Sequence, residues 1–186
     1  MELVLVRHAA AFERDSHRWP DDALRPLTPA GRHKFRDVAK GIRKLLPCVD
    51  VLLTSSLIRA TETGQILHEC ARWPAAQVCD ALVPGRPTAA VFAALRKVLE
   101  GDGIPGNDTL GDEPHRRVAL VGHEPQISRL LSASIAGASE DVWCDFRKGA
   151  LAVIEFERAA APGCGRLLWF ATPSLIRTLR RKRVRR

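Results

Sequence analysis

The sequence predicts an α/β domain, a three-layer αβα sandwich built on a mostly parallel sheet. Three observations point to it. Leu3-Val4-Leu5-Val6 is an unbroken apolar run, the pattern of a central strand covered on both faces rather than one. Strand-like and helix-like segments then alternate along the chain, as they do when helices connect parallel strands. Finally, several strand-like segments run out into arginine, histidine or serine, and in such sheets ligands bind beyond the carboxyl ends of the strands. A chain of 186 residues is long enough to bury one substantial core.

Taken in order, Glu2 to Val6 is the first strand, and Asp15 to Pro26 is a polar loop with two prolines. Thr28-Pro29 opens a helix, threonine as N-cap and proline at the first helical position. Phe35, Val38, Ala39, Ile42, Leu45 and Leu46 recur at helical spacing until Pro47 stops them. Val49 to Thr54 is a second strand, after which Ser55 or Ser56 is expected to cap a helix reaching about Cys70. Gln77 to Leu82 reads as a short strand turned by Pro84-Gly85, and residues 87 to 99 as an amphipathic helix. The stretch from Gly101 to Pro114, rich in Gly, Asp and Pro, reads as a loop within the domain. Arg117 to Val121 is a strand, Glu124 to about Ala136 a helix, and Ala150 to Phe156 and Leu167 to Phe170 are strands.

Charge is unevenly spread. The formal net charge is +8, but RTLRRKRVRR at 177–186 holds seven of the 29 basic residues and no acid, leaving 22 against 21 elsewhere. A catalytic domain over 1–175 with a basic tail over 176–186 is expected. No run approaches the ~18 apolar residues of a membrane span. The apolar stretch before Arg7 is too short for a signal peptide, so the cytoplasm is the expected compartment. Cys48, Cys70, Cys79, Cys144 and Cys164 form no CxxC pair and are expected as reduced thiols filling the interior.

Three strand ends share one chemistry. LVLVRHA brings Arg7 and His8, LLTSSLIRA brings Arg59 one helical turn beyond Ser56, and ALVGHEP brings His123. Two histidines and two arginines above one sheet edge, without a carboxylate cluster for a cation, suit a phosphate dianion. Guanidinium forks match phosphate oxygens and stay charged. A neutral imidazole can attack phosphorus and form a covalent phosphohistidine. Clustered cations can stabilise the equatorial oxygens of that displacement, and helix N-termini can add backbone N–H donors.

The strand–Arg–His–Ala start, the SxxRAxxT segment and the late strand–GH resemble the histidine phosphatase superfamily. The RPLTPAG segment at Arg25 to Gly31, VGHEP, and KGALAVIEF followed by GRLLWFATP are similar to the SixA group of phosphohistidine phosphatases. That resemblance implies a phosphoglycerate-mutase-like fold. It makes His8 the nucleophile, has Arg7 and Arg59 bind the phosphoryl oxygens, and has His123 donate a hydrogen bond to the phosphate. Arg25 resembles a further pocket arginine. No metal or organic cofactor is implied, and the partner is a phosphorylated protein such as a histidine phosphotransfer domain. Ala9 departs from the glycine common in the superfamily, which is compatible with a backbone at φ < 0. His17, His33, His68 and His115 match no motif and are expected to be solvated or structural.

The leaving group then decides the substrate. An alkoxide needs a general acid, and superfamily members acting on phosphate esters often carry a carboxyl group after the third strand. Here that segment is DALVPGRP: Val83-Pro84 offers none, and Asp80 is expected to face water. Glu13, Asp21 and Asp22 are candidates from the loop after His8. An imidazole, with a conjugate acid near ~6.5, departs more readily, which favours phosphohistidine on a protein. The alternative is a phosphomonoesterase or mutase for a small metabolite, its acid drawn from residues 10–26. A reading from another class gives the basic tail non-specific affinity for nucleic acid, but with no aromatic residue in the tail for base stacking, nucleic acid is not the expected partner.

Overall fold

A computed structural model describes residues 1–100, 116–137 and 144–179. The expected loop at 101–114, His115 and most of the basic tail, 180–186, lie outside the described residues. Among the described residues six strands form one sheet in the order β3-β2-β4-β1-β5-β6. They are β1 (Glu2–Arg7), β2 (Val51–Thr54), β3 (Gln77–Val78), β4 (Arg117–Gly122), β5 (Leu151–Phe156) and β6 (Gly165–Ala171). β1, β4, β2 and β3 pair in parallel, while β5 runs antiparallel to β1, and β6 antiparallel to β5. The three-layer α/β architecture is the expected one, with an antiparallel margin on one side.

The unbroken apolar runs do what their composition dictates. Leu3, Val4, Leu5 and Val6 are all fully buried, and the two-residue strand period sends them alternately to two cores. Val4, Val6, Leu52, Ala119 and Val121 pack beneath helices α1 (Pro29–Leu45) and α2 (Ile58–Ile66), together with Phe35, Ile42 and Ile66. Leu3, Leu5, Leu53, Val118 and Leu120 face α3 (Thr88–Glu100) and α4 (Gln126–Ala136), with Phe92, Leu95 and Leu130. No described helix is long and apolar enough to cross a membrane.

Helix α1 begins as its sequence requires. The Thr28 hydroxyl accepts from Gly31 N at 2.9 Å, and Pro29 occupies the first turn. Gly31 is needed because α1 docks against the chain just after β1. A Cβ there would fall 2.0 Å from the Ala10 carbonyl oxygen, and Thr28 N donates to that same oxygen at 3.0 Å. α1 therefore fixes the segment that follows His8. At its other end Gly41 lies against α5 (Pro173–Thr178), a helix that spans residue 175 and buries Ile176.

Several elements differ from expectation. Neither Ser55 nor Ser56 caps α2: its N-cap is Leu57, with no side-chain hydrogen bond, because the Ser55 hydroxyl is engaged elsewhere. α2 ends at Ile66, and the chain continues to Ala71 as a wider π-type turn, closed by Arg72 at φ 66°. The expected strand at Gln77 to Leu82 is ladder-paired only at Gln77–Val78 and then tightens into a 3-10 turn at Asp80–Leu82. The thiols do not fill the interior: Cys48 and Cys164 are exposed, and the other three are only half-buried.

Candidate active site

The chain just past β1, β2 and β4 meets above β4. His8 N donates to Gly122 O (3.1 Å) and Ser55 N to Val121 O (3.3 Å), each extending the sheet by one rung. With Arg7 registered opposite Gly122, His8 and His123 emerge as neighbours. Their ring centroids are 5.0 Å apart and the rings are tilted by 49°.

His8 is 6% exposed, and its Nδ1 lies 2.7 Å from the Ala9 carbonyl oxygen. A carbonyl can only accept, so Nδ1 carries the proton and Nε2 keeps its lone pair. Burial, with contributions from Arg59, Arg7 and Lys148, lowers the His8 pKa to about 3. The imidazole is therefore neutral at physiological pH. The backbone beyond it is fixed by Thr63, whose Oγ1 accepts from Ala9 N at 3.0 Å and donates to Arg59 O at 2.6 Å. Ala9 is buried, and among described non-glycine residues only Arg72 has positive φ, so its methyl group is accommodated without strain.

His123, 3% exposed, hydrogen-bonds through Nε2 to Ser55 Oγ at 2.6 Å. A hydroxyl can donate or accept, so either tautomer satisfies that bond. Its Nδ1 is buried without a protein partner. Burial first, then the neighbouring His8 and Arg59, lowers its pKa to about 3.

The cations enclose this pair. Arg7 donates Nη1 to Phe146 O at 2.8 Å, and its buried Nε has no protein partner. Arg59, in the first turn of α2 and 5% exposed, donates Nη1 to Asp22 O at 2.8 Å and places Nη2 3.0 Å from Asp22 Oδ2. Arg25 donates Nε to Asp22 Oδ1 at 2.8 Å and Nη1 to Phe12 O at 2.6 Å. The Asp22 carboxylate thus bridges two guanidinium groups. The hydrogen bond from Arg25, reinforced by the charge of Arg59, holds its pKa below the usual carboxylate range.

All five sequence-predicted site residues, Arg7, His8, Arg25, Arg59 and His123, are brought together. Of the candidate acids, Asp22 alone is fixed against them. Asp80, Glu13 and Asp21 are exposed, and Asp21 caps the 3-10 turn at Asp22–Leu24 through Ala23 N. Ser55 and Lys148 escaped the sequence reading. The only hint was Ser55 preceding the SxxRAxxT segment, and Lys148 opening KGALAVIEF. His17, His33 and His68 lie at the surface, with His68 Nδ1 on Trp73 O at 2.7 Å. Among the described residues no three His, Cys, Asp or Glu side chains converge as a metal site would require.

This arrangement can present a neutral imidazole lone pair to a tetrahedral anion held by guanidinium groups. Known proteins resemble this chain in sequence or fold. The model of the histidine phosphatase superfamily, branch 1, matches residues 3–83. An uncharacterized protein of Picosynechococcus sp. (strain PCC 7002) is 30% identical over 137 residues, 74% of each chain. The structure of the protein histidine phosphatase SixA complexed with tungstate superposes with a TM-score of 0.74 at 22% identity, covering 94% of this chain and 98% of that one. Mycobacterial glucosyl-3-phosphoglycerate phosphatase with inorganic phosphate gives 0.64 at 18% identity, covering 92% and 98%. By the family match this chain belongs to the histidine phosphatase superfamily, branch 1, and is a phosphatase.

Proposed function

We propose that this phosphatase acts in the cytoplasm on phosphohistidine carried by a protein, through a covalent intermediate on His8. In the first step His8 Nε2 attacks phosphorus and the bond from phosphorus to the substrate imidazole nitrogen breaks. The substrate ring, protonated from solvent at its other nitrogen, departs as a neutral imidazole. In the second, water attacks the phosphorus on His8, releasing inorganic phosphate and restoring the lone pair. Arg7, Arg59 and Arg25 hold the equatorial oxygens, whose negative charge must be stabilised as the bonds change, and His123 donates a hydrogen bond from Nδ1.

The single observation that carries the proposal is the state of His8: neutral, buried, and fixed by the Ala9 carbonyl so that Nε2 is the free nitrogen. The choice of substrate is supported by the acids. Asp22 is ionised between Arg25 and Arg59, and Val83-Pro84 supplies no carboxyl group. An alkoxide would leave unassisted, whereas an imidazole needs little help. The SixA fold neighbour supports the same choice, and the catalytic unit would extend past the expected boundary at 175 through α5, which buries Ile176. A histidine phosphotransfer domain has the required chemistry as partner.

The test compares phosphate release from a phosphohistidine-bearing protein with release from a sugar phosphate and from 3-phosphoglycerate. Turnover of the phosphohistidine protein should exceed that of the esters. Faster ester hydrolysis would instead assign the enzyme to small metabolites.

A further inference from the structure

Beside the His123 turn, on the α3–α4 face of the sheet, lies a cavity of about 400 Å³ that the proposed chemistry does not use. Glu124 and Gln126, the first and third residues after His123, line its near wall. Arg86 and Thr88 face them from the start of α3, and Arg129 from the next turn of α4.

Its polar groups form an incomplete set. Gln126 is 5% exposed, and its Nε2 donates to Ala81 O (2.8 Å) and Arg86 O (3.2 Å). These bonds tie the loop before α3 to the start of α4, so the wall is fixed. Gln126 Oε1 and Glu124 Oε1, however, are buried acceptors with no donor. Neither the Arg86 nor the Arg129 guanidinium has an ion-pair partner among the described residues. Two exposed guanidinium groups call for a carboxylate or phosphate. A peptide carrying an acidic side chain answers the arginines with its carboxylate, on the same chain that brings the phosphohistidine to His8.

We propose that this cavity is a docking subsite for an acidic residue of the protein substrate, close in sequence or space to its phosphohistidine. This rests on the phosphohistidine reading above and adds to it the class of surface that is recognised. Arg86 and Arg129 are then specificity residues, neither of them among the groups proposed to hold the phosphoryl oxygens.

The experiment uses three probes: a peptide with phosphohistidine flanked by glutamates, its twin with glutamines in their place, and phosphoramidate. The intact enzyme should show a KM about tenfold lower for the acidic peptide, roughly threefold for each guanidinium, as solvated ion pairs allow. The Arg86→Gln/Arg129→Gln variant should lose that preference while kcat stays within about twofold and phosphoramidate hydrolysis is unchanged. That last rate also reports that the variant is folded. Equal KM values for the two peptides with the intact enzyme, or a preference that survives in the variant, would overturn the subsite alone. A variant impaired on 3-phosphoglycerate but still preferring the acidic peptide would assign the cavity to a small acidic ester, and the proposal would fall. An intact enzyme that hydrolyses an ester but neither peptide refutes the phosphohistidine reading, and the subsite with it.

Discussion

The chain after β1 and the chain after β4 each place a buried histidine at the same sheet edge, yet they hold it by opposite ends. His8 is held at Nδ1 by its neighbour's carbonyl, one residue away in sequence. His123 is held at Nε2 by the hydroxyl of Ser55, sixty-eight residues away. A carbonyl tether permits one tautomer; a hydroxyl tether permits two. The same side chain is thereby prepared for two tasks. One ring has a permanent lone pair at Nε2; in the proposed reaction the other offers an N–H at Nδ1 while its Nε2 accepts from the serine hydroxyl.

The largest predicted effect separates these tasks. His8→Ala should lower phosphate release by at least about 10³-fold and abolish the acid-labile phosphoenzyme trapped by rapid quench. His123→Ala should lower turnover by about 10²-fold while the phosphoenzyme still forms. Were both variants to lose the trapped species alike, the division of roles would be wrong.

A smaller effect follows from what the two regions share. Both imidazoles have folded pKa values of about 3 against an unfolded value near ~6.5. Between those pH values the unfolded chain binds more protons, so stability must fall as pH drops below about 6.5 and be unaffected by these groups above it. The slope should be on the order of 1 kcal/mol per pH unit for each histidine, read from denaturant unfolding at pH 7 and pH 5. In the same range kcat/KM should show no limb near 6.5 from His8. A full limb there would place a charged imidazole in the free enzyme.

The smallest effect tests the scaffold of the first region. Thr63→Val removes the hydroxyl that joins Ala9 N to Arg59 O, leaving a buried N–H unsatisfied. A loss of about 1–3 kcal/mol in unfolding free energy is expected. Activity should fall more than for a change at exposed His33, since both His8 and Arg59 lean on this one hydroxyl.

What the sequence revealed, and what it hid, follows the range of the interactions. Leu3 to Val6 and the Thr28-Pro29 helix start are governed by pattern and local capping, and both were legible. So were Arg7, His8, Arg59 and His123, because a strand end fixes where the next side chain goes. Ser55 was misread as a cap because its hydroxyl is claimed by a histidine from another strand, and no local rule anticipates that competition. Asp22 was legible only as one carboxylate among several in a loop. Its selection depends on Arg59 and Arg25 arriving from either side, and on α1, through Gly31, holding the chain after His8 in place. β3 shortened for a similar reason: its edge position offers pairing to two residues before the chain turns.

The Asp22 bridge carries a consequence for how turnover ends. Inorganic phosphate is both product and an abundant solute, and two bare guanidinium groups would retain it. Here each already has an anion of its own chain within reach, at an effective concentration set by the chain itself. With Arg25 and Arg59 holding the phosphate as proposed, the freed product would be opposed by a tethered rival. That rivalry favours clearing the site over clogging it.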